Sequence, residues 1–168
     1  FNRMATSLSK IRPERNLVLV SEMEHHSNDL PHREHSSQVI HIPCMGEFES
    51  YGGFSMDCLQ ERIQKYGEKI NYVAVTGASN VTGTITPLEE VAKLVHSVGA
   101  YTIVDASQMI AHAPVCMDDA DLDVLVFSGH KIYAPGSPGV VIAKKNLLNA
   151  ISPSELGGGM VDDVSLAK

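Results

Sequence analysis

Val124-Leu125-Val126-Phe127-Ser128-Gly129-His130-Lys131 is the stretch whose reading decides the fold. Four consecutive apolar residues lack the alternation of a strand with one wet face, and they read as a short strand buried on both faces. Polar groups follow at once, so the strand delivers chemistry-bearing side chains at its end. The pattern recurs on either side. Leu17–Val20 is another apolar run, Gln38–Ile42 a weaker one, and Tyr72–Val75 leads into the loop Thr76–Ile85. Tyr101–Val104 runs into Asp105, and Val140–Ala143 closes the series ahead of a helix near Lys144–Ala150.

Helical patterns lie between these runs. Met56, Leu59, Ile63 and Tyr66 recur at helical spacing after the break at Ser50–Gly53. Thr86-Pro87-Leu88-Glu89 reads as a helix start: Thr86 caps, Pro87 takes the first helical position, and Glu89 completes a capping box. Leu88, Val91, Ala92 and Val95 form the apolar face of that helix, and Gly99 suits a position just past its end. Short apolar strands alternating with amphipathic helices specify an α/β domain with a mostly parallel sheet flanked by helices.

Composition narrows the function. The chain has 168 residues, 43% hydrophobic and 20% charged, which suits one globular core. No segment approaches the roughly 20 apolar residues of a membrane helix. Lys and Arg number 13 against 20 Asp and Glu, a formal charge of −7, which argues against nucleic acid as the partner. Three widely spaced cysteines, Cys44, Cys58 and Cys116, read as reduced thiols of a cytoplasmic protein. Phe1–Asn16 carries neither an initiator Met nor a signal pattern, and Val161–Lys168 has no finishing helix pattern. Residues 1–16 are therefore expected to be a truncated lead-in and 17–168 a domain core, with both termini cuts in a longer chain.

The candidate site follows from the strand ends. His25 and His26 come after the first run, Asn80 after the third, Asp105 and Gln108 after the fourth, and Ser128, His130 and Lys131 after the fifth. Parallel strands bring these groups to one carboxyl edge, where open α/β sheets bind ligands. A lysine in a partly desolvated pocket favours its free amine and can form a Schiff base; the alternative is a surface lysine ending a strand. Asp105 can hold a protonated ring nitrogen, or it can cap the next helix. His25, His26, His32, His35 and His41 crowd one stretch, but no cysteine pair completes a zinc set, so they are expected to be exposed imidazoles on a loop and short helix and not metal ligands. Cys44 and Cys116 read as packed or incidental thiols.

Several segments together resemble the cysteine desulfurases that depend on pyridoxal 5'-phosphate (PLP), within the class V aminotransferases. They are Glu22–Asn28, Ser79–Gly83, Val104–Gln108, Ser128–Lys131 and Glu155–Met160, in that order over nearly the whole chain. The resemblance implies the large domain of a fold-type-I PLP enzyme, with Val140–Ala143 antiparallel. It implies that Lys131 forms the Schiff base with PLP and moves protons at the substrate carbon. It also implies that His25 stacks on the ring and serves in acid–base steps. Asp105 would pair with the ring nitrogen, Gln108 would donate to the ring's phenolic oxygen, Ser128 and His130 would bind the phosphate, and Asn80 would orient the substrate carboxylate. The implied reaction converts L-cysteine to alanine and an enzyme-bound sulfane sulfur, in a homodimer that can hand sulfur to an acceptor protein.

The departures bear on the substrate. Met4-Ala5-Thr6-Ser7 does not supply the family's Gly-Thr-Thr-like phosphate loop. The sulfur-accepting cysteine and the carboxylate-binding arginine would lie in a small domain beyond Lys168. His32 replaces an aromatic residue common after Pro31, and Ser137-Pro138 alters the turn after the lysine. Without the small domain this segment is not expected to complete a catalytic cycle alone. The alternatives are another class V enzyme (a selenocysteine lyase, an epimerase or a different lyase) or a fragment that keeps the fold without binding PLP.

Overall fold

All six apolar runs form strands of one sheet in a computed structural model that describes residues 1–45, 53–153 and 155. The chain begins with helix α1 (Asn2–Ile11), followed by β1 (Leu17–Ser21), α2 (Leu30–His35) and β2 (Gln38–Ile42). A small antiparallel pair, β3 (Cys44–Met45) and β4 (Gly53–Phe54), precedes α3 (Met56–Tyr66) and β5 (Ile70–Thr76). Then come α4 (Leu88–His96), β6 (Tyr101–Asp105), β7 (Val124–Ser128), β8 (Gly139–Ala143) and α5 (Lys145–Ala150). The strand order is β2-β1-β5-β6-β7-β8, parallel except for β8, which runs antiparallel to β7.

Strand alternation divides the core into two layers. Leu17, Leu19, Val73, Val75, Val104 and Leu125 face Leu59 and Ile63 of α3 and Leu88, Val91 and Val95 of α4. Val18, Val20, Tyr72, Ile103 and Val124 face Met4 and Leu8 of α1 and Leu147 of α5. Each fully buried aliphatic side chain contributes about 1.5–3 kcal/mol. Helix α1 occupies part of the stretch read from sequence as a lead-in. Its buried face, Met4, Ala5, Ser7 and Leu8, spans under two turns, too short to announce a helix by periodicity. Beyond α1, the Arg12 guanidinium donates to the carbonyls of Asn71 and Gly99, both at 2.7 Å, and lies 3.7 Å over the Tyr101 ring.

Two local expectations need correction. Thr86 does not cap α4. It is 3% exposed, and its hydroxyl donates to the Thr76 carbonyl at 2.6 Å, closing the end of β5 instead. Pro87 takes the cap position, and Glu89 and Glu90 in the first turn complement the helix dipole. His32 is no exposed imidazole: it is fully buried between α2 and β5. The expected breaks at Ser50–Gly52, the segment 156–160 and the end pattern 161–168 lie outside the described residues.

A polar tie locks the sheet's far side. Asp123, 4% exposed, accepts from the Thr102 N–H at 2.8 Å and faces His96 Nε2 at 2.7 Å and Lys144 Nζ at 3.1 Å. It joins β6, α4 and the start of α5 through one carboxylate. Asp123→Ala strands the buried Thr102 N–H and takes one partner from His96 and from Lys144, which keep Asp121, and is expected to lower stability by about 2–3 kcal/mol. A urea unfolding midpoint equal to that of the parent protein would remove this tie from the account.

Candidate active site

The site grows from the strand order. β2 lies on one side of β1 and β5 on the other, so the chain reverses direction between β1 and β5, and ligands bind at such a switch point, outside the carboxyl ends of the strands. The loop after β1 carries His25, the loop after β5 carries Asn80, the turn after β6 carries Gln108, and a tight 3-10 turn after β7 carries Lys131.

These side chains line one cavity of about 330 Å³, near the lower end of ligand-site volumes, roughly 300–1,000 Å³. His25, Asn80, Asp105, Gln108, Ser128, His130 and Lys131 all belong to its wall. Ser27, Thr76, Ala78 and Ser107 also line it and carried no role in the sequence reading. Ser27 and Ser107 sit inside the family-like stretches Glu22–Asn28 and Val104–Gln108, so their signal was proximity to the singled-out residues.

Each wall group has a structural reason for its place. Asp105 ends β6 and is 4% exposed; its Oδ1 accepts the Ser107 N–H at 2.9 Å, so the same carboxylate caps its turn and faces the cavity. Lys131 lies in the 3-10 turn Gly129–Ile132, half-buried and not at a strand end, with Nζ 3.4 Å from Gln108 Oε1. Gly129 is required there: an added Cβ would meet the Ser137 Oγ at 2.0 Å. His25 Nδ1 accepts the Ser27 N–H at 3.2 Å and sits 2.8 Å from Ser27 Oγ, which fixes that nitrogen as the acceptor. Ser79 Oγ accepts the Val81 and Thr82 N–H groups, both at 3.2 Å, and shapes the loop that bears Asn80.

The cavity therefore gathers an amine, a buried carboxylate, two amides, several hydroxyls and two imidazoles. This donor set is of the kind that would suit a flat phosphorylated pyridine aldehyde, with an amine for a carbonyl carbon, a carboxylate for a ring nitrogen, and amide, hydroxyl and imidazole groups for the phenolic and phosphate oxygens. Among the described residues no group of three or more His, Cys, Asp or Glu could hold a metal ion. No helix among them is long and apolar enough to cross a membrane.

Known proteins share this sequence and fold. The family model described as aminotransferase class-V matches residues 1–168. A cysteine desulfurase of Pectobacterium atrosepticum is 37% identical over 171 residues, covering 98% of this chain and 40% of that protein. One from Dickeya dadantii is 37% identical over 175 residues, covering 99% of this chain and 40% of the relative. The crystal structure of the Escherichia coli cysteine desulfurase CsdA superposes with a TM-score of 0.86 at 32% identity, over 98% of this chain and 41% of that one. The apo cysteine desulfurase of Thermococcus onnurineus gives a TM-score of 0.83 at 31% identity, over 98% and 40%. The chain thus spans about two-fifths of the length of the two curated relatives.

Near the His25 loop lie two titratable groups with opposite tendencies, Glu24 half-buried and His32 fully buried. Burial raises the Glu24 carboxyl from 4.5 to about 7, against the hydrogen bonds from Ser21, Asn28 and Thr76. Burial also lowers the His32 imidazole from 6.5 to about 4. Glu24 gains a proton on folding, so its contribution to stability falls as pH rises from 4.5 to about 7. His32 loses one on folding, so its contribution is lost as pH falls from 6.5 to about 4. The two slopes oppose each other across a shared window. His32→Gln removes one slope, and as pH rises from 4.5 to 6.5 the variant is expected to lose about 3 kcal/mol more stability than the parent. Urea titrations at several pH values check this; parallel profiles for the two proteins would contradict it.

Proposed function

The chain belongs to the class-V aminotransferase family, and on that footing we propose that it is the cofactor-binding part of a PLP-dependent cysteine desulfurase. The observation that carries this reading is the single cavity in which Lys131, Asp105, Gln108, Ser128, His130 and His25 converge. PLP, when bound, supplies an electron sink for the carbon that loses its proton.

The chain's own residues divide the remaining work. Lys131 Nζ is the amine that holds the cofactor and then takes and returns the proton at the substrate α-carbon. Asp105 keeps a proton on the ring nitrogen by charge attraction. Gln108 orients the phenolic oxygen, and Ser128 and His130 bind the phosphate. His25 covers the ring and serves as an acid or base for the substrate. Asn80, on the exposed loop after β5, orients the substrate carboxylate. The substrate is L-cysteine, in keeping with the names of the relatives, and the sulfur passes from a persulfide to an acceptor protein. The whole protein acts as a homodimer in the cytoplasm; free Cys44, Cys58 and Cys116 accord with a reducing compartment.

Incubation with PLP, borohydride reduction and peptide mapping should place the cofactor's mass on Lys131 and on no other lysine. Label on Lys144 or Lys145 would overturn the assignment, and Lys131→Ala should remove the label altogether.

Asp105→Asn keeps the shape of the side chain and removes its charge. In the whole protein it should retain PLP yet lower turnover by about two orders of magnitude, equivalent to roughly 2.7 kcal/mol of barrier. Unchanged turnover with PLP still bound would reduce Asp105 to a cap for its own turn.

A further inference from the structure

Glu24 bonds to none of the groups assigned above, yet it is half-buried next to His25 and makes three hydrogen bonds. Its Oε1 accepts the Thr76 N–H at 2.6 Å and the Ser21 hydroxyl, and its Oε2 accepts from Asn28 Nδ2 at 2.6 Å. Thr76 ends β5 and lines the cavity, Ser21 ends β1, and Asn28 closes the loop that carries His25. One carboxylate thus clamps the His25 loop to the ends of two strands.

The contacts continue inward with a fixed direction. Ionised, at pH above about 7, Glu24 only accepts, so Asn28 turns its NH2 toward Glu24 and its carbonyl oxygen inward. That oxygen lies 3.0 Å from His32 Nε2, which must therefore carry the proton. His32 Nδ1 is left as an acceptor for the Tyr72 hydroxyl at 2.9 Å, and the Tyr72 oxygen accepts the Ser36 hydroxyl at 3.4 Å. Asn28, His32 and Tyr72 are each 0% exposed, so no water competes for these bonds. With Glu24 ionised, every donor in the row finds an acceptor in this sense only, so the tautomer is read at a pH well above 7.

We propose that Glu24 is a positioning residue of the site, anchoring the His25 loop to β1 and β5 and dictating, through the Asn28 amide, which nitrogen of His32 is protonated. The positioning role rests on the reading of His25 as a cofactor-covering group; the direction of the hydrogen-bond row does not.

Exchanging acceptor and donor tests it. In Glu24→Gln the carbonyl oxygen must face the Thr76 N–H, because β5 fixes that donor. The new NH2 then faces Asn28, which has to turn over and offer its own NH2 to His32 Nε2. The His32 proton moves to Nδ1. Nitrogen chemical shifts of histidine-labelled protein should report the Nε2–H tautomer in the parent and the Nδ1–H tautomer in the variant. The double variant E24Q/N28D puts the carboxylate at the other position and should restore Nε2–H. Glu24→Ala, which removes every acceptor, should weaken PLP binding about tenfold or more, the scale of a lost hydrogen bond or two. Glu24→Gln, with its bonds reversed but intact, should stay within a few-fold of the parent.

A His32 that stays Nε2–H in Glu24→Gln overturns the proposal, as does PLP affinity of Glu24→Ala equal to the parent's. If Glu24→Ala does not fold, the tautomer pair decides, because Glu24→Gln and the double variant keep the side-chain volumes. A parent protein that shows the expected tautomers but binds no PLP would refute the functional reading and leave the hydrogen-bond row standing.

Discussion

Parallel pairing is the constraint from which the rest follows. Thr76 pairs with Asp105, and Asp105 with Val126, so β5 and β6 end level and β7 runs two residues past them to Ser128. β1 joins them through Val20, which pairs with Ala74. Parallel strands cannot be joined by tight hairpins, so the chain must leave this edge and return from the opposite end each time. Backbone at the edge has no further ladder to enter. It is therefore free to form short turns, and side chains on those turns face one another across a few ångströms of sheet. Apolar burial on both faces fixes the strands; the polar groups only have to sit one to five residues beyond them.

This explains what the sequence makes legible. A strand buried on both faces is written as an unbroken apolar run, and Leu17–Val20, Tyr72–Val75 and Val124–Phe127 carry that mark, while Tyr101–Val104 is interrupted only by Thr102, whose hydroxyl meets Asp123. All seven singled-out site residues line the one cavity because their positions were tied to strand ends. The elements that were not legible are those without a repeating signal. β3 and β4 are two residues each, and α1 buries a face of under two turns. Thr86 misled because local capping chemistry lost to a tertiary demand: the Thr76 carbonyl needed a donor at the edge of the sheet, and the buried hydroxyl supplied it.

His32 is a case in which a departure from the family pattern has a physical logic. An aromatic side chain is common after Pro31, and here an imidazole fills the place. Burying it costs the ability to carry charge, as its lowered pKa records. In return it pairs with the Asn28 carbonyl oxygen, which a wholly apolar ring would leave without a partner, and with the Tyr72 hydroxyl, which would otherwise keep only its 3.4 Å contact with Ser36. The substitution is coherent only with both partners present. Sequence alone could not reveal this, since Tyr72 lies 40 residues away and reads as part of an apolar run.

The antiparallel strand has a purpose in the same geometry. A parallel successor to β7 would need a long crossover, carrying the chain away from the cavity. Instead, the ten residues from Gly129 to Pro138 turn back directly, and Ser128 pairs with Gly139. The Gly129 N–H reaches the Pro138 carbonyl at 3.4 Å, and the Ala134 N–H returns to the Gly129 carbonyl at 3.3 Å. Lys131 thus sits on a turn held at both of its roots, beside the buried Asp105 strand rather than on a free loop. The close packing of Ser137 against Gly129 extends that restraint, since no side chain fits between them. In the role proposed for Lys131, holding a cofactor reversibly, the residue would gain from a backbone fixed within the sheet and a side chain free to move. The β7–β8 hairpin provides the first without hindering the second.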